Sequence, residues 1–242
     1  MFLYKIYVRL FPNNFISQIG KLLKEKNTIN YKKINIVDIG CYIGNFSYKL
    51  NAELKYLKCQ KFFYLIDPNL NVAKHLKDLK FNLKFFNLAI DNSNKKKFFY
   101  LNNFFESSGS SLNKITLNDT LWNFSRKILT LNIFKNYSKL LIQCQSLDNF
   151  ANINKIKKID VLKFDTEGNE LNILKGAKKI LKNTSIVYLE ILSQKKLFSS
   201  KFKKIHHILI KNNFLLCKKK RILTVSFFSN LIAYDLLYLK KI

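Results

Sequence analysis

With 242 residues the chain is one domain in size, at most a domain with a small appendage, and it can bury a single hydrophobic core. Apolar residues at 48% and aromatics at 14% exclude intrinsic disorder, collagen-like repeats and small disulfide scaffolds. The formal charge of +28 suggests a nucleic-acid or anionic-surface binder, but only Arg9, Arg126 and Arg221 of the 43 basic residues are arginine, the preferred fork for phosphate and guanine; with 29 Asn against 6 Gly and 2 Pro the bias follows AT-rich codons, and nucleic acid is disfavoured as a partner.

Residues 1–11, interrupted by Lys5 and Arg9, supply neither a signal-peptide core nor a spanning helix, so a cytoplasmic protein is expected. Their aromatics and two cations leave room for no more than weak peripheral contact with an anionic membrane. Residues 13–26 read as a helix within an N-terminal extension covering 1–33. From 34 to 242 the chain reads as one domain in which short apolar runs alternate with helical stretches, the pattern of a mostly parallel sheet with helices on both faces. Strands are predicted at 34–39, 62–66, 83–90, 159–164 and 185–189. Helices follow at 45–54, to about 79, and at 170–181. A helix at 198–212, a strand at 214–218 and a last strand at 236–240 complete the series. Residues 95–146 break the alternation and read as an insertion beside the ligand crevice, where loops carry specificity. Cys41, Cys59, Cys144 and Cys217 form no C-x-x-C pair, which fits unpaired thiols in a reducing compartment.

Four segments carry chemistry. In 37–46 a strand runs into Asp38, and Gly40 and Gly44 flank a tight turn that opens a helix, leaving room for a ligand against bare backbone. The pattern is D-x-G-x-x-x-G rather than the dinucleotide G-x-G-x-x-G, so it offers a carboxylate and turn amides to a cation-bearing ligand and has no evident pyrophosphate seat. The second strand ends at Asp67, placed to reach ribose hydroxyls, although Pro68 after it also makes Asp67 a plausible helix cap. Ala89 and Ile90, at the tip of the third strand, read either as an adenine wall or as plain core. In 159–177 three of the chain's 15 acids, Asp165, Glu167 and Glu170, gather at a strand end beside the glycine turn. Lys163 shares a strand face with Asp165 and needs a buried partner, for which Glu190 on the neighbouring strand is the candidate. Glu167 as a backbone cap and Glu170 as a first-turn helix acid are the structural alternatives.

Taken in order, Asp38 to Ser47, Ile66-Asp-Pro-Asn69, Ser110-Ser-Leu112, Ser146 to Phe150, the run from Ile159 to Glu170 and Leu174 to Ala177 resemble the FkbM-type methyltransferases over about residues 34–192. The resemblance implies a class I, Rossmann-like methyltransferase fold, an α/β architecture whose seven-stranded sheet has an antiparallel last strand. It also implies S-adenosyl-L-methionine as cofactor and O-methylation of a small-molecule, glycan or glycolipid acceptor, as in polysaccharide biosynthesis. Carried over by position, Asp38, Gly40 and Gly44 fall at the methionine-end turn, Asp67 at the ribose-binding acid and Asp165 at the acid on the tip of the fourth strand; Tyr42 within the turn, and Ala89 and Ile90 at the third strand's tip, are expected at the cofactor by their place in the fold. Tyr42 and Cys41 stand where small or amide residues are usual in the family, and Asp67 where Glu is common.

The activated sulfonium carbon leaves the protein to align a hydroxyl, take its proton and exclude water. Asp165 is expected as base or acceptor anchor, Glu167 or Glu170 as its orienting partner, and Lys163 as the residue that sets the local charge. His75, His206 and His207 read as surface histidines, and no metal is assigned. The competing readings are an RNA ribose methyltransferase and a non-catalytic binding module on the same fold. The sequence 165–168, Asp-Thr-Glu-Gly, lacks the Pro-Pro-aromatic loop used to methylate base amino groups. A lysine-rich rim would assist an anionic acceptor, with a salt-dependent KM as its sign.

Overall fold

The computed structural model describes residues 14–26, 32–102, 110–113, 137–222 and 230–241. Its centre is a seven-stranded sheet of β1 (Lys33–Ile39), β2 (Gln60–Ile66), β3 (Leu83–Phe86), β7 (Ile159–Phe164), β8 (Thr184–Gln194), β9 (Phe214–Ile222) and β10 (Leu231–Lys240). The spatial order is β3-β2-β1-β7-β8-β10-β9. β1, β2, β3, β7 and β8 pair in parallel, whereas β10 runs antiparallel to both β8 and β9. The strand order reverses between β1 and β7, and the carboxyl ends of these two strands therefore border the crevice in which ligands of open α/β sheets bind.

Helices cover both faces: α1 (Asn14–Lys26), α2 (Asn45–Glu53), α3 (Ala73–Leu76), α4 (Leu147–Ile153), α5 (Glu170–Lys175) and α6 (Lys195–Lys211). Alternating strand residues feed two cores. Val37, Ile39, Leu162, Phe164, Val187 and Leu189 pack with Phe150 of α4, Ile173 of α5 and Leu209 of α6. Ile34, Ile36, Val161 and Ile186 face the other way, onto Leu50 of α2 and the Phe15, Ile16, Ile19 and Leu23 stripe of α1. That stripe has helical spacing, which is why α1 lies flat on the sheet and its polar residues face water.

Three predicted elements are divided differently. The run expected as one strand over 83–90 breaks at Asn87, whose side-chain amide donates to the carbonyls of Asp67 and Pro68 at 3.2 and 2.9 Å. Beyond the break, β4 (Ala89–Asp91) leaves the main sheet and joins β5 (Lys96–Asn102) and β6 (Tyr137–Ser146) in a second sheet ordered β4-β6-β5. The stretch read as a patternless insertion thus contributes two paired strands; residues 103–109 and 114–136 lie outside the described residues. The helix expected over 170–181 stops at Lys175, and Gly176 at its end lies against the backbone of β4, where a Cβ would stand 2.3 Å from the Asp91 carbonyl oxygen. A short 3-10 turn over Ile180–Asn183 follows. Finally, β10 starts at Leu231, five residues ahead of the predicted 236, with Leu231, Ala233, Leu236 and Leu237 all buried.

His206 is also corrected. It is half-buried between Phe202, stacked at 5.5 Å, and Tyr238, whose hydroxyl lies 3.0 Å from its Nδ1. The four cysteines are unpaired. Among the described residues no helix is long and apolar enough to cross a membrane, and no group of His, Cys, Asp and Glu is arranged to hold a metal ion. The 1–11 segment, with its expected membrane contact, lies outside the described residues.

Candidate active site

A cleft of about 840 Å³, counting its open mouth, lies at the carboxyl ends of β1, β2 and β7. Gly40, Tyr42, Asp67, Ala89, Ile90, Asp165 and Glu167 line it, so seven of the eleven predicted site residues meet there. Asp38, Gly44, Lys163 and Glu170 stand behind its wall.

The glycine turn is built by close contacts of backbone with backbone. Gly40 and Cys41 donate their amides to the Ile66 carbonyl at 2.8 and 3.2 Å, which ties the end of β1 to the end of β2. Gly40 has φ of +69°, and a Cβ would sit 2.0 Å from the Asp165 carbonyl oxygen. At Gly44, φ +79°, a Cβ would fall 2.7 Å from Leu79 and 2.8 Å from Leu76. The space these glycines leave is therefore filled by the chain itself, and their service to a ligand is indirect: they let the turn pack against β7 and α3 without strain. Tyr42 between them is held at φ +49°. Its amide donates to Asp67 Oδ2 at 3.0 Å, while Asn69 N donates to Oδ1 at 2.9 Å. Asp67 is thus both a turn anchor and a wall of the cleft. Burial pushes its carboxyl up to about 6 against the lowering pull of those two amides and of Lys163.

Behind the turn lies a buried network. Lys163 pairs in register with Asp38 on β1 and Tyr188 on β8. Its ammonium meets Asp38 Oδ1 at 3.0 Å and donates to the Gly40 carbonyl at 2.7 Å; Ser47 Oγ donates to Asp38 Oδ2 at 2.7 Å. The predicted partner Glu190 is not the one found, since register sets Tyr188 beside Lys163 and carries Glu190 past the end of β7. Burial would lower the Lys163 ammonium, but Asp38 and then Asp165 outweigh it and hold it above its usual value. Lys163 therefore fixes the carbonyl of the first turn and keeps a positive charge next to Asp165.

The acidic turn 165–169 is gripped from several sides. Glu167 and Gly168 are left-handed, at φ +53° and +113°, a conformation that costs a non-glycine residue about 1–2 kcal/mol unless its surroundings impose it. Glu170, fully buried, accepts from Gly168 N at 2.7 Å and from Thr166 Oγ1 at 3.3 Å. Its other oxygen meets Lys201 of α6 at 2.6 Å, and Lys201 also donates to the carbonyls of Gly168 and Leu192 at 2.9 and 2.8 Å. Glu170 is a clasp. Asn169 Nδ2 donates to Ile90 O at 3.1 Å and lies 3.3 Å from Asp91 Oδ1, linking the turn to β4. Ser111 closes the turn from the insertion side through the carbonyls of Thr166 and Glu167.

Carboxyl groups crowd around the acidic turn. Burial raises Asp165, Lys163 lowers it, and Glu170 and Asp38 raise it again. Burial, then Asp165 and Glu170, pushes Glu167 up to about 8. On β8 Glu190, opposite Asp235 of β10, is pushed well up by burial and by Asp165, Glu167 and Asp235. Asp235 rises to about 6 through burial although it accepts the Tyr188 hydroxyl at 2.8 Å. Sequence reasoning missed Lys201, one lysine in a lysine-rich helix, and the roles of Ser111, Asn169 and Asp235. Ser111 and Asn169 had a signal, as parts of the Ser110-Ser-Leu112 and Ile159 to Glu170 runs in the family resemblance.

A parallel α/β sheet with this strand order, one antiparallel strand and a crevice fenced by strand-end acids is the class I methyltransferase fold. The Methyltransferase FkbM domain matches residues 38–216. The chain belongs to the FkbM methyltransferase family, whose members depend on S-adenosylmethionine. Among solved structures it is similar to the methyltransferase FkbM from Methylobacillus flagellatus KT, with 13% identity and a TM-score of 0.48 over 88% of this chain and 45% of that one. It is similar to a putative SAM-dependent methyltransferase from Streptococcus mutans at 9% identity and a TM-score of 0.48, covering 93% of this chain and 48% of that one. M. capricolum TrmK, crystallised with S-adenosyl-homocysteine, matches at 12% identity and a TM-score of 0.43 over 93% of this chain and 67% of that one. The chain thus spans about half the length of the first two. No curated protein matches it in sequence.

Proposed function

We propose that the protein transfers a methyl group from S-adenosylmethionine to a hydroxyl of a sugar, glycan or glycolipid-type acceptor. The observation that carries this reading is the convergence on one cleft of the Tyr42 turn, Asp67, Ala89 with Ile90, and the paired acids Asp165 and Glu167. The donor set fits the cofactor in kind. Ala89 and Ile90, with Leu88 and Phe99, offer apolar walls to a purine, and Asp67 retains lone pairs for ribose hydroxyls beyond the two amides it accepts. Acids and turn backbone near Tyr42 suit an aminoacyl end and a sulfonium. Asp38 serves from behind, through Lys163 and the Gly40 carbonyl.

Bound there, S-adenosylmethionine supplies an already activated methyl carbon. The protein's own work is to orient the acceptor, take up its proton and keep water out. Asp165, beside the Lys163 ammonium, accepts a hydrogen bond from the acceptor hydroxyl and orients it. Glu167, at the same end of the cleft and poised near 8, takes the proton. A base is most effective when its pKa lies near the working pH. The four unpaired cysteines support a reducing, cytoplasmic setting.

Calorimetric titration with S-adenosylmethionine and label transfer to hydroxylated acceptors test the reading together. Binding with transfer is expected. Glu167→Gln lowers kcat by about 10²-fold, and the wild-type kcat/KM rises with pH through about 8, where the variant's does not. Asp165→Asn raises KM for the acceptor and lowers kcat. A protein that binds no S-adenosylmethionine, or keeps full turnover with both substitutions, refutes the assignment.

A further inference from the structure

Segment 110–113 is the described part of the insertion that reaches the acidic turn. Ser110 and Leu112 line the cleft, while Ser111 between them points inward and is 2% exposed. The Ser111 hydroxyl lies 2.8 Å from the Glu167 carbonyl oxygen and 3.1 Å from that of Thr166, and it accepts the Asn113 amide at 3.0 Å. Its single proton is shared by two carbonyls. The backbone of Ser111 is fixed in turn, exchanging both hydrogen bonds with Tyr100 of β5 at 2.9 and 3.1 Å. Asn113 Nδ2 lies 3.4 Å from Asn169 Oδ1, a second tie to the same turn.

This contact falls where the turn is left-handed. Glu167 at φ +53° has no intrinsic reason to stay there. Lys201 fixes the Gly168 carbonyl and Glu170 the Gly168 amide, but the carbonyls of Thr166 and Glu167 are held by Ser111. Without it they must find water, and rotation of the 166–167 peptides into the ordinary right-handed region is the direct route. Such a rotation changes the direction of the Glu167 side chain, which in the left-handed conformation lines the cleft.

We propose that Ser111 is a positioning residue that ties the insertion to the acidic turn and holds Glu167 facing the acceptor. The proposal rests on the reading of Glu167 as proton acceptor, but its first test needs neither cofactor nor acceptor. In protein labelled with 13C-glutamate, the Glu167 carboxyl is expected to titrate near 8. The groups facing it are Asp165 on its own turn, Glu170 of α5, Glu190 of β8, Lys201 of α6 and Lys163 of β7. Ser111→Ala leaves these in place yet lowers the midpoint by about one unit or more, toward the solvated glutamate value. It lowers kcat about tenfold with S-adenosylmethionine affinity within about twofold of wild type. Ser111→Cys, similar in shape with a weaker donor, falls between, and it carries the test alone if the alanine variant does not fold. An unmoved Glu167 midpoint overturns the proposal, as does a loss of kcat that tracks cofactor affinity and melting temperature. Full activity of Glu167→Gln instead overturns the base assignment and leaves the tether to be judged by the titration.

Discussion

Lys163 shows how a single residue can be legible in type and misread in partner. A lysine inside an otherwise apolar strand announced a buried charge, and strand alternation gave its face. Which carboxylate meets it depends on the register of β7 against β1, which no local pattern encodes. The structure answers with Asp38 at 3.0 Å. Lys163 is 6% exposed and Asp38 is fully buried, so removing one leaves the other charge uncompensated. Lys163→Met is expected to destabilise the fold by about 3–5 kcal/mol in urea unfolding. Lys163→Met with Asp38→Asn should recover part of that loss, and a double variant no better than the single one would show that the pair is not the source. Asp38 was likewise legible as important, but its contact with the ligand site runs through Lys163 and Gly40. Glu170 differs: its place in the first turn of a helix was legible, but its grip on the Gly168 amide and the Thr166 hydroxyl, and its pairing with Lys201 31 positions away, were not.

Among the elements, those that repeat a simple period were read almost to the residue. β1, β7 and α2 are examples, each bounded by glycine or a charged turn. Elements failed where tertiary contact interrupts a continuous apolar run. Residues 83–90 look like one strand because β3 and β4 are both apolar, and only Asn87, bonded to the Asp67 and Pro68 carbonyls, marks the change of sheet. That change matters because it carries Ala89 and Ile90 across the cleft floor. Gly176 enforces it from the other side. Its φ of −88° suits any residue, so the constraint is purely steric, and the atoms a Cβ would meet, Asp91 O at 2.3 Å and Asn92 Cα at 3.2 Å, are backbone and cannot step aside. Gly176→Ala should cost about 1–3 kcal/mol in thermal or denaturant unfolding and weaken S-adenosylmethionine binding as β4 shifts. A neutral alanine would mean that α5 and β4 move apart without penalty.

For the whole molecule, the +28 charge and the buried acids pull stability in opposite directions as pH changes. Raising the pH ionises carboxyls and reduces the net positive charge, which relieves self-repulsion and stabilises the fold. Locally the sign reverses. Asp67 and Asp235 are raised to about 6 and Glu167 to about 8, with Asp165 and Glu190 also raised, so the folded chain binds more protons than the unfolded one between the ordinary carboxylate range and about pH 8. Their contribution is fully present below the unfolded values and is lost as pH rises through the folded ones. Salt decides between the two effects. At about 0.15 M the Debye length is about 8 Å, which screens lysines spread over the surface but hardly touches acids crowded in and beside the cleft. Melting temperature in such a buffer is therefore expected to fall from about pH 5 to about pH 9, with Glu167→Gln flattening the upper part of the slope. At low ionic strength the unscreened lysine term should shrink the decline. A melting temperature that rises across this range at physiological salt would show that surface charge governs stability after all, and that these acids ionise without cost.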